Sequence, residues 1–154
     1  MMVLEKIQNQ KNILLNIDIK DTVMLGRLNN VISENKMLNR IFFTGLTYND
    51  ITSNKEFLYG LNYFINLEIA DIKNCDLEKL INRLEILDVL GINIDYRLVT
   101  PELISACRER KLLTSVWTVD DAYEMEKLIK LKVNCITTNK IDILKNKILE
   151  CNIN

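Results

Sequence analysis

Six short β-like runs alternate with amphipathic helical runs from Ile13 onward, joined by connections of only a few residues. This alternation constrains the fold more than any other feature of the chain. A helix that carries the chain back to the same end of a sheet makes the next strand parallel, and such crossovers are right-handed. Ile13 to Ile19 reads as the first strand, with Ile13, Leu15, Ile17 and Ile19 on one face and Asn16, Asp18 and Lys20 on the other. Asp21 and Thr22 can cap a helix through Val23, Leu25, Leu28, Val31 and Ile32. Ile41 to Leu46 is the second strand, residues 48–59 a weaker helix, and Tyr63 to Ile69 the third strand. Asp76 caps a helix bearing Leu77, Leu80, Ile81, Leu84 and Leu87, which Gly91 is expected to end. Gly91 to Tyr96 is a fourth, short strand, and Thr100-Pro101-Glu102 puts a cap before a proline at the first helical position. Leu112 to Val119 is the fifth strand, and Asp120 or Asp121 opens the helix through Met125 and Leu128. Val133 to Thr138 and Ile141 to Leu149 complete the series.

The 154 residues hold one domain with a real core, so the whole chain, 1–154, is expected to be a single domain. Two architectures fit: a doubly wound open sheet, or part of a (β/α)8 barrel. A central strand of a doubly wound sheet is apolar on both faces. The first strand instead carries Asn16, Asp18 and Lys20 on one face, which suits the upper lumen of a barrel. An edge strand of an open sheet accommodates such a face as well. Gly26, Gly45, Gly60 and Gly91 stand apart and form no phosphate-cradling glycine loop.

Composition narrows the chemistry. The chain has no histidine, so it supplies no histidine base, histidine metal ligand or Ser-His-Asp triad. With 20 basic and 21 acidic residues, its net charge of −1 gives no electrostatic reason to bind nucleic acid. Cys75, Cys107, Cys135 and Cys151 lie far apart and read as scattered buried thiols of a reducing cytosol. Neither a signal peptide nor a membrane-spanning segment is evident near the start.

Several segments carry a resemblance. Leu15-Asn16-Ile17-Asp18-Ile19-Lys20, Phe43-Thr44-Gly45-Leu46, Leu98-Val99-Thr100-Pro101-Glu102-Leu103, Val116-Trp117-Thr118-Val119-Asp120 and Cys135-Ile136-Thr137-Thr138-Asn139 resemble, in order and spacing, segments of the glycerophosphodiester phosphodiesterase family. The resemblance implies an α/β fold, an incomplete TIM (β/α) barrel whose six βα units match the family's strands three to eight. Six units occupy about 140 residues, so eight would occupy about 190 plus loops, within the usual barrel range. It implies metal-dependent hydrolysis of glycerophosphodiesters to glycerol 3-phosphate and an alcohol, and a place in lipid metabolism.

By the same resemblance, Asp18 matches a metal ligand for Mg²⁺ or Ca²⁺, although the family has Glu there. Lys20 matches a lysine near the substrate phosphate, and Trp117 a tryptophan lining the glycerol pocket. The family's His-Arg-Gly motif, its second histidine and two further carboxylates have no counterpart, so no catalytic residue is assigned and the metal site is incomplete. The expectation is a family member without activity of its own. Alternatives are a subunit completed by another chain, a homo-oligomeric binding or scaffold module, or an unrelated doubly wound domain. Asp18 and Lys20 also read more simply as a local ion pair at a polar strand end. Trp117 reads as core, Asp120 and Asp121 as a helix start, and Thr137 to Asn139 as a cap for the last helix.

Overall fold

The computed structural model describes residues 10, 12–73 and 76–153. The chain forms two compact units, Met1–Asn66 and Leu67–Asn154.

The first unit contains strands β1 (Leu15–Asp18), β2 (Ile41–Leu46) and β3 (Tyr63–Leu67), the last ending at the unit boundary. Between them lie helices α1 (Leu25–Glu34), α2 (Tyr48–Ser53) and α3 (Lys55–Leu58). β1 and β2 run parallel in unbroken register from Leu15 opposite Ile41 to Asp18 opposite Thr44. β2 and β3 are also parallel, with an irregularity between Phe43 and Leu46. The Asp21 side chain accepts from the Val23 amide, as its position suggested, but starts a 3-10 turn, and α1 begins only at Leu25. The expected helix over 48–59 is two helices. Thr47 and Asp50 form a capping box for α2, and Asn54 interrupts the backbone before α3. Leu25, Ile32, Phe43, Leu46, Ile51 and Ile65 make the buried core here. Each such side chain contributes about 1.5–3 kcal/mol by leaving water.

The second unit begins with α4 (Ile69–Lys73) and α5 (Leu77–Ile86). Ile69 therefore belongs to a helix and not to the third strand. β4 (Gly91–Asp95), α6 (Pro101–Glu109), β5 (Leu113–Trp117), α7 (Ala122–Lys130), β6 (Cys135–Ile136) and α8 (Ile141–Ile153) follow. Thr100 caps α6 ahead of Pro101, and Asp121, not Asp120, caps α7. Asp88, with φ 54°, adopts the left-handed conformation just past α5. Gly91 does not end that helix but opens β4, where a Cβ would lie 1.8 Å from the Leu113 carbonyl oxygen. β4 pairs with β5 from Gly91 opposite Leu113 to Asp95 opposite Trp117. β5 pairs with β6 at Ser115–Cys135 and Val116–Ile136, so β6 is shorter than expected. Leu80, Leu84, Ile92, Ile94, Val116, Met125 and Leu128 are buried.

The strands follow chain order in each unit and are all parallel. The sequence's polar face on β1 is present: Leu15 and Ile17 are half-buried, while Asn16 and Asp18 are exposed. No described helix is long and apolar enough to cross a membrane. Cys107, Cys135 and Cys151 are free thiols, but only Cys107 is buried as expected, Cys135 and Cys151 being half-buried, and Cys75 lies outside the described residues.

Candidate functional site

Polar side chains gather where the strands end. In the first unit, parallel register puts Asp18 beside Thr44, and Asn16 lies two residues earlier on the same face. The Thr44 hydroxyl, only 3% exposed as a residue, donates to Asn16 Oδ1 at 3.1 Å and to Asp18 Oδ1 at 3.4 Å. Gly45, at φ +89°, leaves room for the same oxygen, since a Cβ there would lie 2.5 Å from Asp18 Oδ1. The Gly45 amide donates to Asn66 Oδ1 at 2.9 Å. Thr44 of β2 therefore holds one oxygen of Asp18, and Asn66 of β3 fixes the neighbouring Gly45 amide. The other oxygen, Oδ2, receives Lys20 Nζ at 2.6 Å, with the two side chains 48% and 82% exposed.

In the second unit Trp117 ends β5 beside Asp95 at the end of β4. Trp117 is 36% exposed, more than a core tryptophan. Asn93 and Ser115, on the same face one step deeper, are buried. Asp95 accepts from the Arg97 amide at 3.0 Å and from Arg97 Nε at 2.9 Å, and its second oxygen pairs with Arg97 Nη2. The guanidinium hydrogen bonds hold the Asp95 carboxyl below its ordinary value of 3.8, against the opposing effect of burial. Asp120 receives the Thr138 hydroxyl at 2.9 Å, the Asn139 amide at 2.8 Å and Asn139 Nδ2 at 2.9 Å. Those bonds, the Asn139 side chain first, hold its carboxyl low as well. Asp120 therefore fastens the loop after β6, and Thr138 Oγ1 accepts from the Lys140 amide at the start of the last helix. Burial pushes the Cys107 thiol up to about 11 and raises that of Cys135, so neither is an activated nucleophile.

The structure brings Asp18 and Lys20 into contact within the first unit and sets Trp117 beside Asp95 in the second. Thr44, Gly45 and Asn66 escaped the sequence reading as a seat for Asp18, because their roles depend on cross-strand register. The Asp95–Arg97 pair was missed too, although a polar residue at a strand end was a usable signal.

A divalent cation of the Mg²⁺ or Ca²⁺ type wants six or more oxygens, commonly including several carboxylates. Among the described residues no three His, Cys, Asp or Glu side chains cluster as such a site. Among the described residues, Thr44 bridges Asp18 Oδ1 and Asn16 Oδ1, and Lys20 takes Asp18 Oδ2, so both Asp18 oxygens are engaged. These donors do not fit a resident divalent ion.

Parallel βα units with polar strand ends define the class: an α/β protein of the TIM-barrel type, with six strands among the described residues. The same architecture is found in solved structures. A protein from Agrobacterium tumefaciens assigned to the glycerophosphoryl diester phosphodiesterases superposes with a TM-score of 0.82 at 12% identity, over 100% of this chain and 66% of its own. A glycerophosphodiester phosphodiesterase from Thermotoga maritima gives 0.70 at 15% identity, over 100% and 64%. A phosphodiesterase from Oleispira antarctica, in complex with the product sn-glycerol-3-phosphate, gives 0.68 at 17% identity, over 99% and 61%. The chain thus spans about half to two thirds of the length of the structures it resembles. No curated protein sequence matches it. Residues 2–143 match the Glycerophosphoryl diester phosphodiesterase family, and the chain belongs to that family.

Proposed function

We propose that this chain is a single glycerophosphodiester phosphodiesterase-like domain that binds the glycerol phosphate part of a glycerophosphodiester and does not hydrolyse it alone. One observation carries the reading: the family match runs over residues 2–143, yet the chain contains no histidine. By the family resemblance, Lys20 in the first unit offers a point charge of the kind that takes a phosphate oxygen, and Trp117 in the second unit offers an apolar platform of the kind that takes glycerol carbons. The Oleispira protein's product complex supports glycerol 3-phosphate as the probe. Hydrolysis needs a positioned acid and base, and neither pair of carboxylate and cation described here supplies them. Asp95 is held ionised by Arg97, and Asp18 faces Lys20. The cytoplasm is the compartment proposed, consistent with the free thiols.

A second reading is favoured by the strand pairing. Among the described residues β1 pairs only with β2, and β6 only with β5, and both strands are half-buried at best. A further strand from a second copy would satisfy those edges, and one from a different chain could also supply the missing histidine chemistry. Calorimetric titration with glycerol 3-phosphate, and an assay of glycerophosphocholine with Mg²⁺ or Ca²⁺, test the proposal. The expected result is saturable binding, weakened by Lys20→Ala and Trp117→Ala, with no release of glycerol 3-phosphate. Steady turnover by the purified chain overturns it.

A further inference from the structure

We infer that Lys20 stands in for a divalent cation at Asp18, so that anion binding at the end of β1 is independent of metal. The phosphate part of this inference rests on the reading under Proposed function; the cation part does not. Three observations carry it. First, both oxygens of Asp18 are engaged, Oδ1 by the Thr44 hydroxyl at 3.4 Å and Oδ2 by Lys20 Nζ at 2.6 Å. Second, the carboxamide oxygen of Asn16, on the same face of β1, already accepts from Thr44. Third, the ammonium sits on Oδ2, the oxygen that Thr44 does not hold. A metal ion must therefore displace a cation already in place, with little from neighbouring groups to offset its dehydration.

The ammonium has three donors and can serve the carboxylate and a phosphate oxygen together. Asp18 then works against the anion, since its negative charge lies beside the one to be bound. This reverses the sign expected of a metal ligand. Removing a metal-binding carboxylate weakens a metal-bridged phosphate; removing a carboxylate that merely occupies a lysine strengthens phosphate binding.

Two titrations on the full chain, treated with chelator beforehand, decide the matter. In the first, CaCl2 and then MgCl2 are added while the amide resonances of Asp18, Thr44 and Gly45 are followed. The wild type should show a Kd weaker than about 1 mM, the weak end of the range for calcium sites. Lys20→Met should bind Ca²⁺ about threefold to fivefold more tightly, the range of an exposed ion pair. Lys20→Arg should stay at the wild-type level, as should Lys55→Met, which removes an equal charge from α3. A wild-type Kd tighter than about 1 mM that is lost in Asp18→Asn overturns the inference, and so does a Lys20→Met protein no better at binding Ca²⁺ than the wild type. In the second, glycerol 3-phosphate is titrated in EDTA. Asp18→Asn should tighten binding about threefold. Weaker binding in Asp18→Asn, or a requirement for Ca²⁺ or Mg²⁺, overturns it. If no variant binds glycerol 3-phosphate, the proposed ligand fails, while the cation titration still decides the role of Lys20.

Discussion

Asp18-Ile19-Lys20 and Asp95-Tyr96-Arg97 are the same device twice, a carboxylate at the end of a parallel strand with a cation two residues on. They do different work. Arg97 grips Asp95 through Nε, Nη2 and its own backbone amide, and the Asp95 side chain is only 17% exposed. The carboxylate caps the 3-10 turn Tyr96–Leu98, so the pair is part of the fold. Lys20 offers Asp18 one ammonium contact in open water, and no backbone amide joins in. A fork of fixed donors makes a fastening; a point charge on a flexible stem makes an exchangeable counter-ion. Strand position and sequence spacing do not separate the two, and the number of donors does.

The largest expected effect comes from Gly45, which underlies Asp18 and has no equivalent under Asp95. A Cβ there would lie 2.3 Å from the Ile19 carbonyl oxygen, on a residue already at φ +89°. Gly45→Ala should therefore cost about 3 kcal/mol in a urea melt, by strain and backbone displacement. A loss no larger than that of an ordinary surface substitution would show that the seat of Asp18 is soft.

Next comes Asp95→Ala, which removes the cap and should cost about 1 kcal/mol. Its acid limb is informative. The native carboxyl titrates below 3.8, so its contribution is complete above that pH and is lost as pH falls through the lower native value. Urea melts from neutral to strongly acid pH should show Asp95→Asn converging on the wild type only at the acid end. A difference that stays constant with pH would contradict the assignment.

Thr44→Val follows, leaving Asn16 Oδ1 without its buried donor at a cost of about 1 kcal/mol or less. Amide shifts at Asp18 should move as well, since one oxygen loses its anchor. The smallest effect is expected from Lys20→Met, which should leave the melting temperature unchanged because the pair is solvent-exposed. A clear drop would place Lys20 among the fastenings and erase its contrast with Arg97.

Much of the framework was legible in the chain. The alternation of runs gave six parallel strands, and Asp21, Asp76, Thr100 and Asp121 each act as caps close to where their residue types suggested. Boundaries were less legible. Ile69 has the apolar character of a strand residue but starts α4, and Gly91 has the character of a helix stop but opens β4. Asp88 takes the left-handed turn in its place. Of the proposed site residues, Asp18, Lys20 and Trp117 could be picked out by resemblance to family motifs. The partners that decide how Asp18 behaves could not, because Thr44 and Asn66 lie 26 and 48 positions further along the chain.

Local chemistry acts over a few residues, and so the order of elements, their caps and the polar face of β1 were written in the sequence itself. The lack of histidine was written there too, and with it the lack of histidine-based chemistry. Only the tertiary structure decided that one aspartate–cation pair is a fastening and the other an exposed contact. That distinction depends on how many donors and how much backbone converge on each carboxylate, which is fixed by the register of neighbouring strands.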